Sequence, residues 1–199
     1  LPRKPGMSRS DLLDKNIAIM DQIADAAAEH APDAMMIVVA NPVDVMTYRA
    51  WQRTGWPRNR VFGQAGVLDS SRMAWFLAEA TGRSMADIDA MVLGGHGDQM
   101  VPMMRYTTVN GIPVENFLDQ AKIDEIIDRT RKGGAEVLGL RENSSAYLAP
   151  GASTVEMVES VVNDRGRVLP CVAILDGEYG HSNCAMGAPV RTGYGSWLE

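Results

Sequence analysis

A chain of 199 residues, 46% hydrophobic and 22% charged, carries enough apolar material for one sizeable core, or for one domain and part of a second, and is not the composition of a disordered segment. Its formal net charge of −6 and pI near 5.1 supply no general drive toward nucleic acid or anionic membrane surfaces, and no apolar run approaches the roughly 18 residues of a membrane helix. Cys171 and Cys184 have neither CxxC spacing nor a histidine at ligand spacing, so they read as buried thiols of a reducing, cytoplasmic compartment, with no metal site implied. The opening stretch Leu1 to Gly6 reads as a loop without an initiator Met, the expectation for an interior stretch of a longer chain.

Ser8, with Asp11 three residues on, resembles a helix N-cap with its reciprocal acid, and Leu12, Leu13, Ile17, Met20, Ile23, Ala24 and Ala27 follow at helical spacing toward a stop near Pro32. The unbroken apolar run Met35 to Ala40, closed by Asn41-Pro42, suits a strand of a parallel sheet buried on both faces. A helical segment from about 43 to 54 leads to a second short strand at Arg60-Val61-Phe62-Gly63, which is β-α-β grammar. Asp69 begins a further helix through Met73, Phe76, Leu77 and Ala80, and the strand candidate Met91-Val92-Leu93 runs into the glycine-flanked His96. A different character follows, with a hairpin at Tyr106 to Val109 turning on Asn110-Gly111 and helices at about 119–139 and 153–163. A strand from Val168 to Leu175 and a weaker one at Pro189-Val190-Arg191 come last. The pattern predicts an α/β fold in which half of a doubly wound sheet, residues 1–90, joins an α+β domain, residues 91–199.

Three histidines allow each to be weighed. His30 falls at a helix end, where a cation suits the helix dipole, and His181 sits in a Gly-rich loop with no obvious partner. His96 follows a strand and is surrounded by Gly94, Gly95 and Gly97, with Asp98 next, so backbone can approach a ligand closely there; a satisfied structural histidine is the competing reading. Asp69 and Arg72, three apart on a helix, share a face. They are either a dipole-complementing acid and a solvated cation, or an acid that fixes a histidine tautomer and a guanidinium that grips a carboxylate. Arg3, Lys4 and Arg9 flank Pro5-Gly6, as either a solvated charge run or a lid over a small dianion.

Four stretches carry a resemblance: Pro2 to Arg9, Val39-Ala40-Asn41-Pro42, Gly66-Val67-Leu68-Asp69-Ser70-Ser71-Arg72 and Gly94-Gly95-His96-Gly97-Asp98. In order and spacing they resemble the malate/lactate dehydrogenase family, most nearly its bacterial malate-type members built on the lactate-type plan, and the likeness runs on through Arg129 to Gly134 and Ser145 to Pro150. It implies a Rossmann-type sheet followed by a catalytic domain, and an NAD-dependent oxidoreductase assembled as a homo-oligomer, dimer or tetramer, with no nucleic acid or membrane partner. His96 would be the acid/base for the substrate hydroxyl, and Asp69 would favour its imidazolium form. Arg72 would hold the C1 carboxylate, and Arg9 would polarise the reacting carbonyl. Arg3 falls at the position that in this family separates dicarboxylate from monocarboxylate substrates, so malate and oxaloacetate are implied over lactate and pyruvate. Asn41 would bond the substrate and precede a cis proline. Asn16, Val39, Asn41 and Ser145 would lie on the nicotinamide side.

Two departures accompany the likeness. No GxGxxG turn occurs in the chain, so the resemblance implies that the family's first β-α-β unit, about 80 residues, and its C-terminal helix lie outside this sequence. Ser144 replaces a usual glycine beside Ser145. A dehydrogenase for lactate or another 2-hydroxy acid, and a non-catalytic fragment that retains subunit contacts, are the alternative readings.

Overall fold

Helix α1 (Arg9–His30) and helix α2 (Val43–Thr54) pack on the parallel strands β1 (Met36–Val38) and β2 (Val61–Gln64) in the computed structural model, which describes residues 9–141, 146–194 and 196–197. The expected β-α-β unit is present, with Met36 opposite Val61 and Val38 opposite Gly63. Helix α2 buries Val43, Met46, Thr47 and Ala50, positions that share one face at 3.6 residues per turn, and ends at Gly55, whose φ of 64° is the left-handed value a helix terminus favours glycine for. Arg49 and Arg53 of α2 donate pairs of hydrogen bonds to Asp21 and Asp25 of α1. Exposed pairs of this kind are worth at most about 1 kcal/mol each, so they set the register of the two helices more than they stabilise them.

Strand β2 passes into helix α3 (Gly66–Thr81), followed by short strands β3 (Ile88–Asp89), β4 (Val92–Gly94), β5 (Met100–Pro102), β6 (Thr108–Val109) and β7 (Ile112–Pro113). Helices α4 (Gln120–Arg141) and α5 (Leu148–Val162) and strands β8 (Val168–Asp176), β9 (Ser182–Gly193) and β10 (Ser196–Trp197) complete the described fold. Among the described residues, the main sheet runs β1-β2-β8-β9-β4-β5, with β10 on β9, and β3-β6-β7 form a small second sheet. The predicted hairpin is the β6-β7 pair, and Asn110 and Gly111 turn it with φ of 47° and 80°, both positive as a type I′ turn requires.

Strand β8 is the spine, with seven consecutive buried residues from Leu169 to Leu175. Its Val172 packs with Met46 and Val61 under α1 and α2, while Cys171 and Ala173 face Met157 of α5 and Phe62. A third core cluster joins Met73 and Leu77 of α3 to Ile123 and Ile126 of α4. The expected half of a doubly wound sheet joined to an α+β portion is therefore observed, and the β2-β8 pairing runs the sheet continuously from one to the other.

Several details differ from expectation. Met36 and Ile37 are only half-buried, because β1 pairs with β2 alone among the described residues and so is not covered as a central strand would be. Helix α3 starts at Gly66, three residues before Asp69, which places that acid inside the first turn. Helix α5 starts at Leu148 instead of 153, and the expected three-residue strand at Pro189 is the twelve-residue β9. Small and polar residues in Ser182 to Gly187 carry little strand propensity of their own; the long antiparallel ladder to β8 holds them extended.

Candidate active site

Three tight contacts place the site's acid. The turn from β2 into α3 runs so close to its neighbours that a Cβ on Gly66 would lie 2.6 Å from Val92 O and from Pro170 Cβ. One turn into the helix, Ser70 Oγ accepts the backbone N–H of Val92 at 2.9 Å, fastening α3 to the strand whose end carries His96. Asp69, 1% exposed, then accepts from His96 Nδ1 at 2.8 Å through Oδ2 and from Arg72 Nη1 at 3.2 Å through Oδ1.

That arrangement fixes the ring. With Nδ1–H given to the carboxylate, Nε2 is the nitrogen turned away from Asp69. The hydrogen bond to Asp69 is the main reason that the His96 pKa is raised above its ordinary value; burial opposes it, and the charges of Asp69 and Asp44 add to it while that of Arg72 subtracts. Glycine is needed beside it: Gly94 has φ of 78° and Gly97 φ of 111°, both in the left-handed region.

His96 and Arg72 line a cavity of about 420 Å³ together with Val39 and Asn41 from the end of β1 and Gln64 from the end of β2. Leu68, Leu138 and Pro150 supply apolar wall. The peptide before Pro42 is cis, and Asn16 Nδ2 donates to Asn41 O at 3.0 Å, so α1 braces that turn. A more apolar cavity of about 480 Å³, walled by Trp75, Phe76, Val137 and Leu140, shares Leu68, Arg72 and Ala146 with the first and contains neither His96 nor Asn41.

Of the expected site residues, Asp69, Arg72 and His96 are bonded together, Val39 and Asn41 share their cavity, and Asn16 reaches it through Asn41. Arg3 and Ser145 lie outside the described residues, as does the side chain of Arg9, whose backbone begins α1. His30 closes α1, and His181 caps a single turn of 3-10 helix beyond β8. Cys171 and Cys184 are free thiols, and burial pushes the Cys171 pKa well up. Among the described residues no helix is long and apolar enough to cross a membrane.

Two residues escaped the sequence reading. Gln64 lines the cavity, is 4% exposed, and its buried Nε2 has no hydrogen-bond partner among the described residues. Asp44, in the first turn of α2, lies beside the Gly95-His96 backbone; burial raises its pKa, and the nearby backbone N–H of His96 opposes the rise. Asp44 sits in no glycine-rich or periodic pattern, and the glycines on either side of Gln64 read as a strand-to-helix turn. The available signal was their place at or beyond the end of a parallel-paired strand, where α/β folds bind ligands.

Residues 1–63 match the model of the lactate/malate dehydrogenase NAD binding domain, and residues 66–197 that of the lactate/malate dehydrogenase alpha/beta C-terminal domain. The chain is 65% identical to a malate dehydrogenase of Thioalkalivibrio sulfidiphilus over 202 residues, covering 100% of this chain and 66% of that protein. The apo malate dehydrogenase of Picrophilus torridus superposes with a TM-score of 0.97 at 46% identity, covering 100% of this chain and 63% of that one. The lactate dehydrogenase of Eimeria maxima with NADH and oxamate superposes with a TM-score of 0.94 at 36% identity, covering 100% and 63%. The chain thus spans less than two thirds of the length of these relatives.

Proposed function

Because the chain belongs to the lactate/malate dehydrogenase family, we propose that it supplies the substrate half of an NAD-dependent dehydrogenase that interconverts malate and oxaloacetate. The observation that carries this reading is the Arg72–Asp69–His96 chain, built on a buried carboxylate and opening on the cavity that Asn41 and Gln64 share. NAD, when bound, takes up or gives back the hydride. Val39, Asn41 and Asn16 would hold its nicotinamide side, together with Ser145, and the unpartnered amide of Gln64 fits that polar edge.

In malate oxidation Nε2 of neutral His96 receives the hydroxyl proton, and Asp69 stabilises the imidazolium that results. In the reverse direction imidazolium returns that proton to the carbonyl oxygen of oxaloacetate. Arg72 gives Asp69 one N–H and has the rest of its planar fork for the substrate's C1 carboxylate. Arg9 polarises the carbonyl, and Arg3 pairs with the second carboxylate, where the methyl group of pyruvate would leave it an unmatched charge in a dry site. The family membership also supports a homo-oligomer, and the free thiols support a reducing, cytoplasmic setting.

The test is NADH oxidation by the complete polypeptide with oxaloacetate or pyruvate offered in turn. Oxaloacetate should be preferred by at least about 100-fold in kcat/KM, about 3 kcal/mol, which lies within what a site built around a paired polar group can reach. Arg3→Gln should narrow that gap by lowering the oxaloacetate rate alone. Equal losses on both substrates would refute the dicarboxylate assignment.

A further inference from the structure

Asp44 stands three residues after Asn41 and reaches across to the loop that carries His96. A Cβ built on Gly95 would lie 3.6 Å from Asp44 Oδ2, which puts this carboxyl beside the backbone that leads into His96, and Oδ1 is buried with no hydrogen-bond partner among the described residues. We propose that Asp44 is a positioning residue, which accepts the backbone N–H of His96 and so ties the proton-exchanging loop at the end of β4 to the Asn41 turn at the end of β1. The inference rests on the reading of His96 as the acid/base.

The need for such a tie follows from the loop's composition. Gly94, Gly95 and Gly97 give His96 neighbours with the widest backbone freedom of any residue, and Asp69 holds the imidazole at Nδ1 only. The Gly94-Met100 pairing and the bond from Met100 N–H to Gly97 O close the loop at its base, and within it one tether at Nδ1 leaves the ring free to roll about that contact. A second tether at the backbone N–H removes that freedom, and misplacing a reacting group by about 1 Å costs about 100-fold in rate. The tether also crosses between the two matched portions of the chain, since Asp44 and Asn41 lie in residues 1–63 while His96 and Asp69 lie in residues 66–197. Asp44 therefore sets the separation between the group that holds substrate and the group that exchanges its proton.

Chemistry decides which property of Asp44 matters. The ionisable side chains that act on it are His96 and Asp69, the first favouring its charge and the second, with burial, opposing it. A protonated carboxyl still accepts an N–H through its carbonyl oxygen, so the role belongs to the hydrogen bond and survives loss of the charge.

Three measurements on the complete polypeptide test this. Asp44→Ala should lower kcat for oxaloacetate reduction by 10- to 100-fold, with KM changed less than about threefold. Asp44→Asn, which keeps an acceptor oxygen without the charge, should retain kcat within about threefold. In the unsubstituted protein the His96 amide should exchange its hydrogen at least about tenfold more slowly than expected for an open loop. Normal kcat in Asp44→Ala, equal impairment of both variants, or an unprotected His96 amide each overturns the proposal. The exchange measurement needs neither turnover nor a variant. A protected His96 amide in a protein without dehydrogenase activity would thus sink the functional reading and leave the tether standing.

Discussion

With Oδ2 of Asp69 bonded to His96 and Oδ1 to Arg72, a single buried carboxylate faces two cationic partners and spends its charge on both. The balance at His96 favours the proton, since the pull of Asp69 exceeds the opposing effects of burial and Arg72. On the proposed function, oxaloacetate reduction would require imidazolium, so the raised pKa would extend activity in that direction toward higher pH; malate oxidation would require neutral imidazole and gain only above it. Asp69→Asn should accordingly move the alkaline limb of the reduction profile, and the acid limb of the oxidation profile, to lower pH. His96→Asn should keep NADH affinity and lose at least about 100-fold in turnover, the usual scale of acid-base catalysis. pH profiles that coincide for the parent and Asp69→Asn, or near-normal turnover in His96→Asn, would remove the assignment. A three-residue helical spacing and a glycine-flanked histidine drew notice to these residues as local patterns that left a structural reading open, and only the resemblance of four stretches in register gave them their expected roles. Asp44 and Gln64 drew none, because their importance lies in what they face across the cavity.

Among the elements, the helices were the most readable. Helix α2 was expected at 43–54 and lies there, since its apolar stripe and its Pro and Gly boundaries are written in adjacent residues. Strands whose extension depends on a partner were not: β9 looked like three residues, while β3 and β5 passed unnoticed. Strand β9 matters to the site through Gly187, where an added Cβ would fall 2.3 Å from Gly94 O and 3.0 Å from Gly94 N. Neither backbone atom can turn aside as a flexible side-chain end would. Gly187→Ala should therefore push β4 away, costing about 1 to 3 kcal/mol in urea denaturation, and lower kcat by shifting the His96 loop. Unchanged stability and turnover would mean that the sheet yields at no cost.

The whole molecule is organised around β8, which draws on helices from both ends of the chain for its cover and joins the two matched portions in one sheet. A shared sheet predicts a shared transition. Phe62→Ala, which removes a fully buried ring from between β2 and α5, should cost about 3 to 5 kcal/mol, and far-UV circular dichroism and tryptophan fluorescence should still report the same midpoint. Two separated midpoints would show that the portions unfold independently. The place of β9 between β8 and β4 also has a bearing on synthesis. Gly94 pairs with Gly187, more than ninety residues later, and Gln64 with Cys171, more than a hundred later. Contacts that distant form slowly, because a long loop must close before any pairing rewards it. As the chain leaves the ribosome, Asp69, Arg72 and His96 emerge well before β9 and wait, and the sheet that sets their spacing closes only when that strand arrives.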